Sequence, residues 1–180
     1  SGETADAAGD ISVNSEITWG SATKLTLYAD KNIYINKSIT ATDSGGQLEL
    51  DYGQADTMAT TTTNYSIAAD AQINLQAGKN FITKKGSDGP VTWQVITALG
   101  GKGSTTKTDL QGINGDLTGH YVLGADIAAG ATSGWNPGTD DEGFTAIGDD
   151  ILSFTGAFDG LGHTITGLTI NRPKMSNQGL

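Results

Sequence analysis

The side chains best placed to do chemistry are carboxylates gathered in one stretch. Asp140-Asp141-Glu142 and Asp149-Asp150 flank the loop from Gly143 to Gly148. Several carboxylate oxygens around one loop suit a hard cation, so calcium is the one cofactor this pattern would recruit. Clustered Asp and Glu on one sheet face also serve acid–base cleavage of polysaccharides. Both uses require convergence, and three features count against it. Adjacent residues of a strand point to opposite faces, turns favour Asp on their own account, and neither an EF-hand nor a Gly-Gly-x-Gly-x-Asp repeat is present.

Other candidate contacts are isolated. Trp135-Asn136, within Ser133-Gly134-Trp135-Asn136-Pro137-Gly138, reads as an exposed turn whose indole would stack on a sugar. Trp19 and Trp93 are expected to pack against a flank. The two histidines, His120 and His163, each lie beside a glycine, with no nucleophile and orienting acid in view, so no catalytic residue is assigned. Asn36-Lys37-Ser38 and Asn64-Tyr65-Ser66 match the N-x-S acceptor pattern, which makes Asn36 and Asn64 possible glycosylation sites. Gly100-Gly101-Lys102-Gly103-Ser104-Thr105 lacks the spacing and following helix of a phosphate loop.

The elements that must position these residues are announced by a repeat. Gly9-Asp10-Ile11-Ser12-Val13-Asn14-Ser15-Glu16-Ile17-Thr18 returns 22 residues on as Lys31-Asn32-Ile33-Tyr34-Ile35-Asn36-Lys37-Ser38-Ile39-Thr40. Leu25-Thr26-Leu27 has a copy in Leu48-Glu49-Leu50 and, 48 residues on, an apparent further one in Ile73-Asn74-Leu75. Each unit pairs short apolar/polar alternations of period two with Gly, Asn, Asp or Ser between them. Strands of about four residues fit this pattern and helices do not. The recurrence of Asn14 at Asn36 implies a buried amide ladder or turn-stabilising side chains. A chain that revisits one environment once per repeat is written as a solenoid.

Composition agrees. A hydrophobic content of 36% in 180 residues suffices for the narrow core of a β-solenoid, which buries one side chain in two. The net charge of −10 argues against nucleic acid and anionic membranes as partners, and no apolar run is long enough to insert as a helix. The absence of cysteine excludes disulfides and thiolate sites. Ser1-Gly2-Glu3 opens without a basic, apolar leader, so in an exported protein this would be a mature or excised piece.

Three regions are expected. Residues 1–83 carry the regular repeat, with Met58 to Asn64 extruded as a loop. Residues 84–107 form a turn-rich connection with one strand, Val91 to Ile96. Residues 108–180 continue the solenoid after a single helical turn near Leu110 and Ile113, capped by Thr108 or Asp109.

Gly119 to Ile127, Phe144 to Gly148, Phe154 to Ile165 and Gly167 to Asn171 resemble the segment that leads into the GLUG repeat of bacterial surface adhesins. Gly179-Leu180 would open its Gly-Leu-x-Gly signature. The N-terminal repeats resemble those of filamentous-haemagglutinin-type exoproteins of two-partner secretion. The resemblance implies a right-handed parallel β-helix within a large secreted adhesin, located at the bacterial cell surface and exported with an outer-membrane secretion partner. The amino-terminal secretion domain of such exoproteins is not identifiable here.

Together these readings give an all-β, right-handed parallel β-solenoid with short extruded loops. It would be a non-enzymatic rod supporting adhesion to host cells, surfaces or biofilm polysaccharide, with contacts varying in loops such as Ser133 to Glu142. The alternatives are a carbohydrate-active β-helix, hydrolase or lyase, and a pure spacer.

Overall fold

The computed structural model describes residues 9–55, 63–149 and 151–174. Asp150, most of the Met58–Asn64 loop and the Gly179-Leu180 dipeptide lie outside them. The chain is all-β with parallel sheets. Among the described residues its only helical elements are two short 3-10 turns, Gln111–Gly115 and Gly130–Gly134. It divides into two compact units, 1–93 and 94–180.

In the first unit, the strands come in triplets. They are β1 (Ile11–Val13), β2 (Ile17–Trp19), β3 (Lys24–Tyr28), β4 (Ile33–Ile35), β5 (Ile39–Ala41), β6 (Gln47–Tyr52), β7 (Tyr65–Ile67), β8 (Ile73–Asn74) and β9 (Gly78–Lys85). Every third strand pairs in parallel, giving the ladders β1-β4-β7, β2-β5-β8 and β3-β6-β9. Ile11 lies opposite Ile33 and Ile33 opposite Tyr65, while Ile17, Ile39 and Ile73 form a second column. The register is fixed by burial, because a slip of one residue would turn Ile33, Ile35, Ile39, Leu48 and Leu50, all fully buried, toward solvent.

One repeat expectation is corrected. Leu25 is continued by Leu48 and then by Phe81, not by Ile73, which belongs to the column of Ile39. The third triplet lies farther along the chain than a 22-residue period allows: Asn64 bonds Asn32, 32 residues before it, whereas Asn32 bonds Asp10 at a separation of 22. The extra residues fall in the segment before β7. Strand β9 also runs through Lys84-Lys85, which the sequence reads as the start of a turn.

Short polar side chains tie the triplets together at their corners. The Asp10 carboxylate accepts the Asn32 backbone N–H at 2.8 Å and the Asn32 side-chain N–H at 3.1 Å. Asn32 Oδ1 in turn accepts the Asn64 backbone N–H at 3.0 Å. Ser38 Oγ accepts from Gln72 N, and Asn74 Nδ2 donates to Thr40 Oγ1. The amide ladder expected at Asn14 and Asn36 is present, with Asn36 Nδ2 donating to Asn14 Oδ1 at 2.8 Å, but both residues are exposed rather than buried.

Strand β10 (Val91–Ile96) contains the division between the units. Within the second unit its residues Gln94 to Ile96 pair in parallel with β11 (His120–Leu123), which pairs with β14 (Ala157–Asp159). Strands β12 (Ile127–Ala128) and β15 (Ile165–Thr166) form a second parallel pair, and β13 (Glu142–Gly143) runs antiparallel to β16 (Ile170–Asn171). The core gathers Ile96, Leu110, Ile113, Tyr121, Leu123, Ile127 and Phe144. The expected helical turn forms as the 3-10 segment Gln111–Gly115, and Asp109 Oδ1 caps it by accepting the Gly112 N–H at 2.7 Å. In the glycine-rich run, Gly162 takes positive φ. At Gly156, by contrast, a Cβ would meet the Gly119 carbonyl oxygen at 2.0 Å, so close backbone approach excludes any side chain.

Candidate functional site

The carboxylates of the 140–149 stretch are not left to converge on a cation. Asp141 pairs with Arg172, whose side chain is 7% exposed: Nη1 donates to Asp141 Oδ1 at 3.1 Å. Asp140 pairs with Lys174, and Glu142 Oε2 accepts from Asn171 Nδ2 at 2.8 Å. Three successive carboxylates, two in the turn before β13 and one on it, thus face three different partners on or just beyond β16.

Asp149 does something else. Its Oδ1 accepts the backbone N–H groups of Ile151 and Leu152, which holds its carboxyl below the usual range. The loop carbonyls that calcium would also need are occupied. Phe144 O accepts from Arg172, Thr145 O from Gln111 and Ala146 O from Asn114. Gln111 and Asn114 also accept from the backbones of Thr145 and Gly148, so the 3-10 turn clamps this loop by reciprocal amide bonds. Among the described residues no three His, Asp or Glu side chains group as a metal site.

Trp135 departs from the expected exposed turn. It is half-buried, packs on the second unit's core and stacks on Phe144 with ring centroids 6.4 Å apart at 17°. Apolar area gained by covering Phe144 outweighs exposure of the indole in a Gly/Pro-rich turn. Asn136 adopts φ 48° and is engaged on both sides of its amide: Nδ2 donates to Asp141 O and Oδ1 accepts from Lys102 Nζ. Trp93 packs on Phe81 and donates Nε1–H to Thr83 Oγ1, and Trp19 donates to Thr23 O. His163, whose side chain is 1% exposed, lies 3.3 Å from Asp126, and His120 opens β11 on the surface.

The two acceptor-pattern asparagines differ. Asn36 commits its amide nitrogen to Asn14, whereas Asn64 is exposed and uses its backbone N–H in the corner ladder.

A different cluster, not singled out in the sequence, occupies the outer face of β3-β6-β9. Leu48 and Leu50 face the core, so Glu49 and Asp51 face outward. The register sets Glu49 between Thr26 and Ile82, and Asp51 between Tyr28 and Lys84. Lys24 forms an ion pair with Glu49. Asp51 has no such satisfaction. It is 8% exposed and its Oδ1 is buried without a hydrogen-bond partner. Burial, then the neighbouring Glu49 charge, pushes its carboxyl above the usual range, with Lys84 opposing. Tyr28 beside it is 58% exposed, the largest exposure of any aromatic residue described. The only sequence signal for this cluster was the Leu-x-Leu copy that places Tyr28 and Asp51 at equivalent positions of two repeats.

The fold and this surface define an all-β protein of stacked parallel ladders with a polar, aromatic-bearing outer face. Over 162 residues the chain is 32% identical to Halomucin of Haloquadratum walsbyi, an alignment covering 81% of this chain and 2% of that protein. The chain therefore spans a small fraction of that relative's length. No family model matches the chain, so neither the GLUG nor the filamentous-haemagglutinin resemblance is carried by a family match. No solved structure matches either.

Proposed function

We propose that this chain is a segment of a large cell-surface or secreted protein, built as a right-handed parallel β-helix and acting as a non-enzymatic scaffold for adhesion to surfaces or polysaccharide. The observation that carries the reading is the set of three parallel ladders in which every third strand pairs, with Asp10, Asn32 and Asn64 repeating one corner. Right-handedness follows from the rule for crossovers between parallel strands. The likeness to Halomucin, whose name denotes a mucin-type protein, supports the surface location. Among the described residues no helix is long and apolar enough to cross a membrane.

The test is labelling of intact cells with antibody raised against the 180-residue chain, together with competition of cell or biofilm attachment by the purified chain. Surface label and dose-dependent competition are expected. Label confined to the cell interior would overturn the surface location, and label without competition would leave the pure spacer as the function.

A carbohydrate-active enzyme is the second reading, and Glu49 and Asp51 on one face are what favours it. Lys24 holds Glu49, so the pair is not free to act as acid and base together. Release of reducing ends or unsaturated products from polysaccharide by the purified chain would establish that reading in place of the scaffold.

A further inference from the structure

We propose that the outer face of β3-β6-β9 is a binding site for neutral hexose units of a polysaccharide, with Tyr28 as the stacking platform and Asp51 as the hydroxyl acceptor. The inference rests on the adhesive-scaffold reading and names its ligand.

Asp51 supplies the first observation. A carboxylate at 8% exposure with a buried, unpartnered Oδ1 is a costly arrangement, because a buried acceptor that has lost water normally gains a protein donor. Among the described residues nothing gives it one. Its flanking residues across the ladder are Tyr28 and Lys84, both long side chains on a solvent-facing rung, and rotamer changes at such positions are fast. A shift of the Lys84 side chain would let the carboxylate meet a ligand hydroxyl while Tyr28 stays in place as the platform.

Tyr28 supplies the second observation. A 58% exposed ring beside an acceptor-only carboxylate matches the two faces of a pyranose, whose C–H groups pack on an aromatic surface while its hydroxyls donate outward. Neighbouring strands lie about 4.8 Å apart, so ring and carboxylate fall within the span of one sugar unit.

Charge decides the ligand class. Lys24 neutralises Glu49 and Lys84 opposes Asp51 across the ladder, which leaves the face without the net charge that would select a cation, a phosphate or a uronate. A neutral polyol, recognised by hydrogen bonding and stacking, is what remains. The rung Thr26–Glu49 lies two residues back along the same two strands, so it can contact the next unit of a chain running along them.

The experiment is an array of neutral, sialylated and uronic-acid oligosaccharides probed with the 180-residue chain, followed by calorimetry on the strongest ligand. Binding is expected to neutral hexose oligomers, to fall at least tenfold in Tyr28→Ala and in Asp51→Asn, and to persist in Tyr28→Phe and in Trp135→Ala. Circular dichroism and a thermal melt of each variant separate loss of contact from loss of fold, and Tyr28→Phe retains the platform without risk to the strand. Binding unchanged by Tyr28→Ala and Asp51→Asn, or preference for acidic sugars, would overturn this site while leaving an adhesive scaffold standing. Array silence combined with attachment competition by the same chain would overturn the sugar ligand and keep the scaffold. Silence in both would overturn both.

Discussion

Replacing Asn32 by Ala tests whether the corner ladder holds the first unit together. The side chain makes two bonds: Nδ2 donates to the Asp10 carboxylate at 3.1 Å, and Oδ1 accepts the Asn64 N–H at 3.0 Å. A hydrogen bond to a charged group contributes about 1.5 to 3 kcal/mol and a neutral one about 0.5 to 1.5 kcal/mol. Partial solvation at this corner lets water replace part of both, so the expected loss is about 2 kcal/mol. With a urea m-value of about 2 kcal/mol per molar, the midpoint should fall by about 1 M. The assay is equilibrium unfolding followed by tryptophan fluorescence in a Trp135→Phe background, so that Trp19 and Trp93 report on the first unit.

Two controls sharpen the test. Asn36→Ala, which removes the fully exposed bond to Asn14, should cost no more than about 0.5 kcal/mol. Asn32→Asp keeps the acceptor but sets a carboxylate against Asp10, so it should cost more than Ala at pH 7. Equal midpoints for Asn32→Ala and Asn36→Ala would refute the claim that the Asp10–Asn32–Asn64 corner matters more than the exposed Asn14–Asn36 bond.

Other perturbations address packing, the clamp in the second unit and pH. Ile39→Ala opens a cavity in the Ile17-Ile39-Ile73 column and should destabilise by about 2 to 5 kcal/mol in the same unfolding assay. Arg172→Ala strips donors from Phe144 O, Asp141 and Thr145 Oγ1, and a loss of about 2 to 3 kcal/mol is expected from Trp135 fluorescence during unfolding. Asp51 binds its proton more tightly in the fold than its ordinary value of 3.8 allows. Protonation therefore favours the folded state, and stability declines as pH rises from 3.8 through the raised value. Asp51→Asn should remove that decline, as read from midpoints across pH 3 to 7. Asp126 behaves oppositely. Its carboxyl is held below 3.8, chiefly by the Thr164 backbone N–H, so its contribution is present above 3.8 and is lost as pH falls through the lowered value. Asp126→Asn should flatten the acid limb of thermal melts of the chain.

The sequence shows the ladders and the registers that a constant period could carry. Ile11 with Ile33, Ile17 with Ile39 and Leu25 with Leu48 all follow from period-two alternation and a regular offset. The third register was misplaced because similarity of Leu-x-Leu phrases cannot reveal how many residues an inserted segment adds before the next strand. Ile73-Asn74-Leu75 looked like a copy of Leu25-Thr26-Leu27, yet burial beneath Ile39 fixed its place.

Sites were less legible than strands for a related reason. A run such as Asp140-Asp141-Glu142 invites a metal reading, but the turn leading into β13 sends those carboxylates to separate partners, and these, Lys174, Arg172 and Asn171, lie about thirty residues away. For Trp135 the Gly/Pro-rich turn around it predicts exposure, while Phe144 beneath it does not appear in the local pattern. The opposite holds for Tyr28 and Asp51. Neither stands out as a motif, since an aromatic and an acid 23 residues apart gain meaning only when the ladder sets Tyr28 opposite Asp51, as it sets Thr42 within reach of Trp19 at the same separation. In a repeat protein the residues that maintain the period are the easiest to read and the least informative about contact. An outward position that carries an unpaired charge, where the repeat needs only a polar residue, is where binding is most economically encoded. Asp51 is such a position: the β-strand would tolerate Thr there as readily as it does at Thr26 on the neighbouring strand, and the proposed sugar contact gives the unpartnered carboxylate oxygen a use that folding does not.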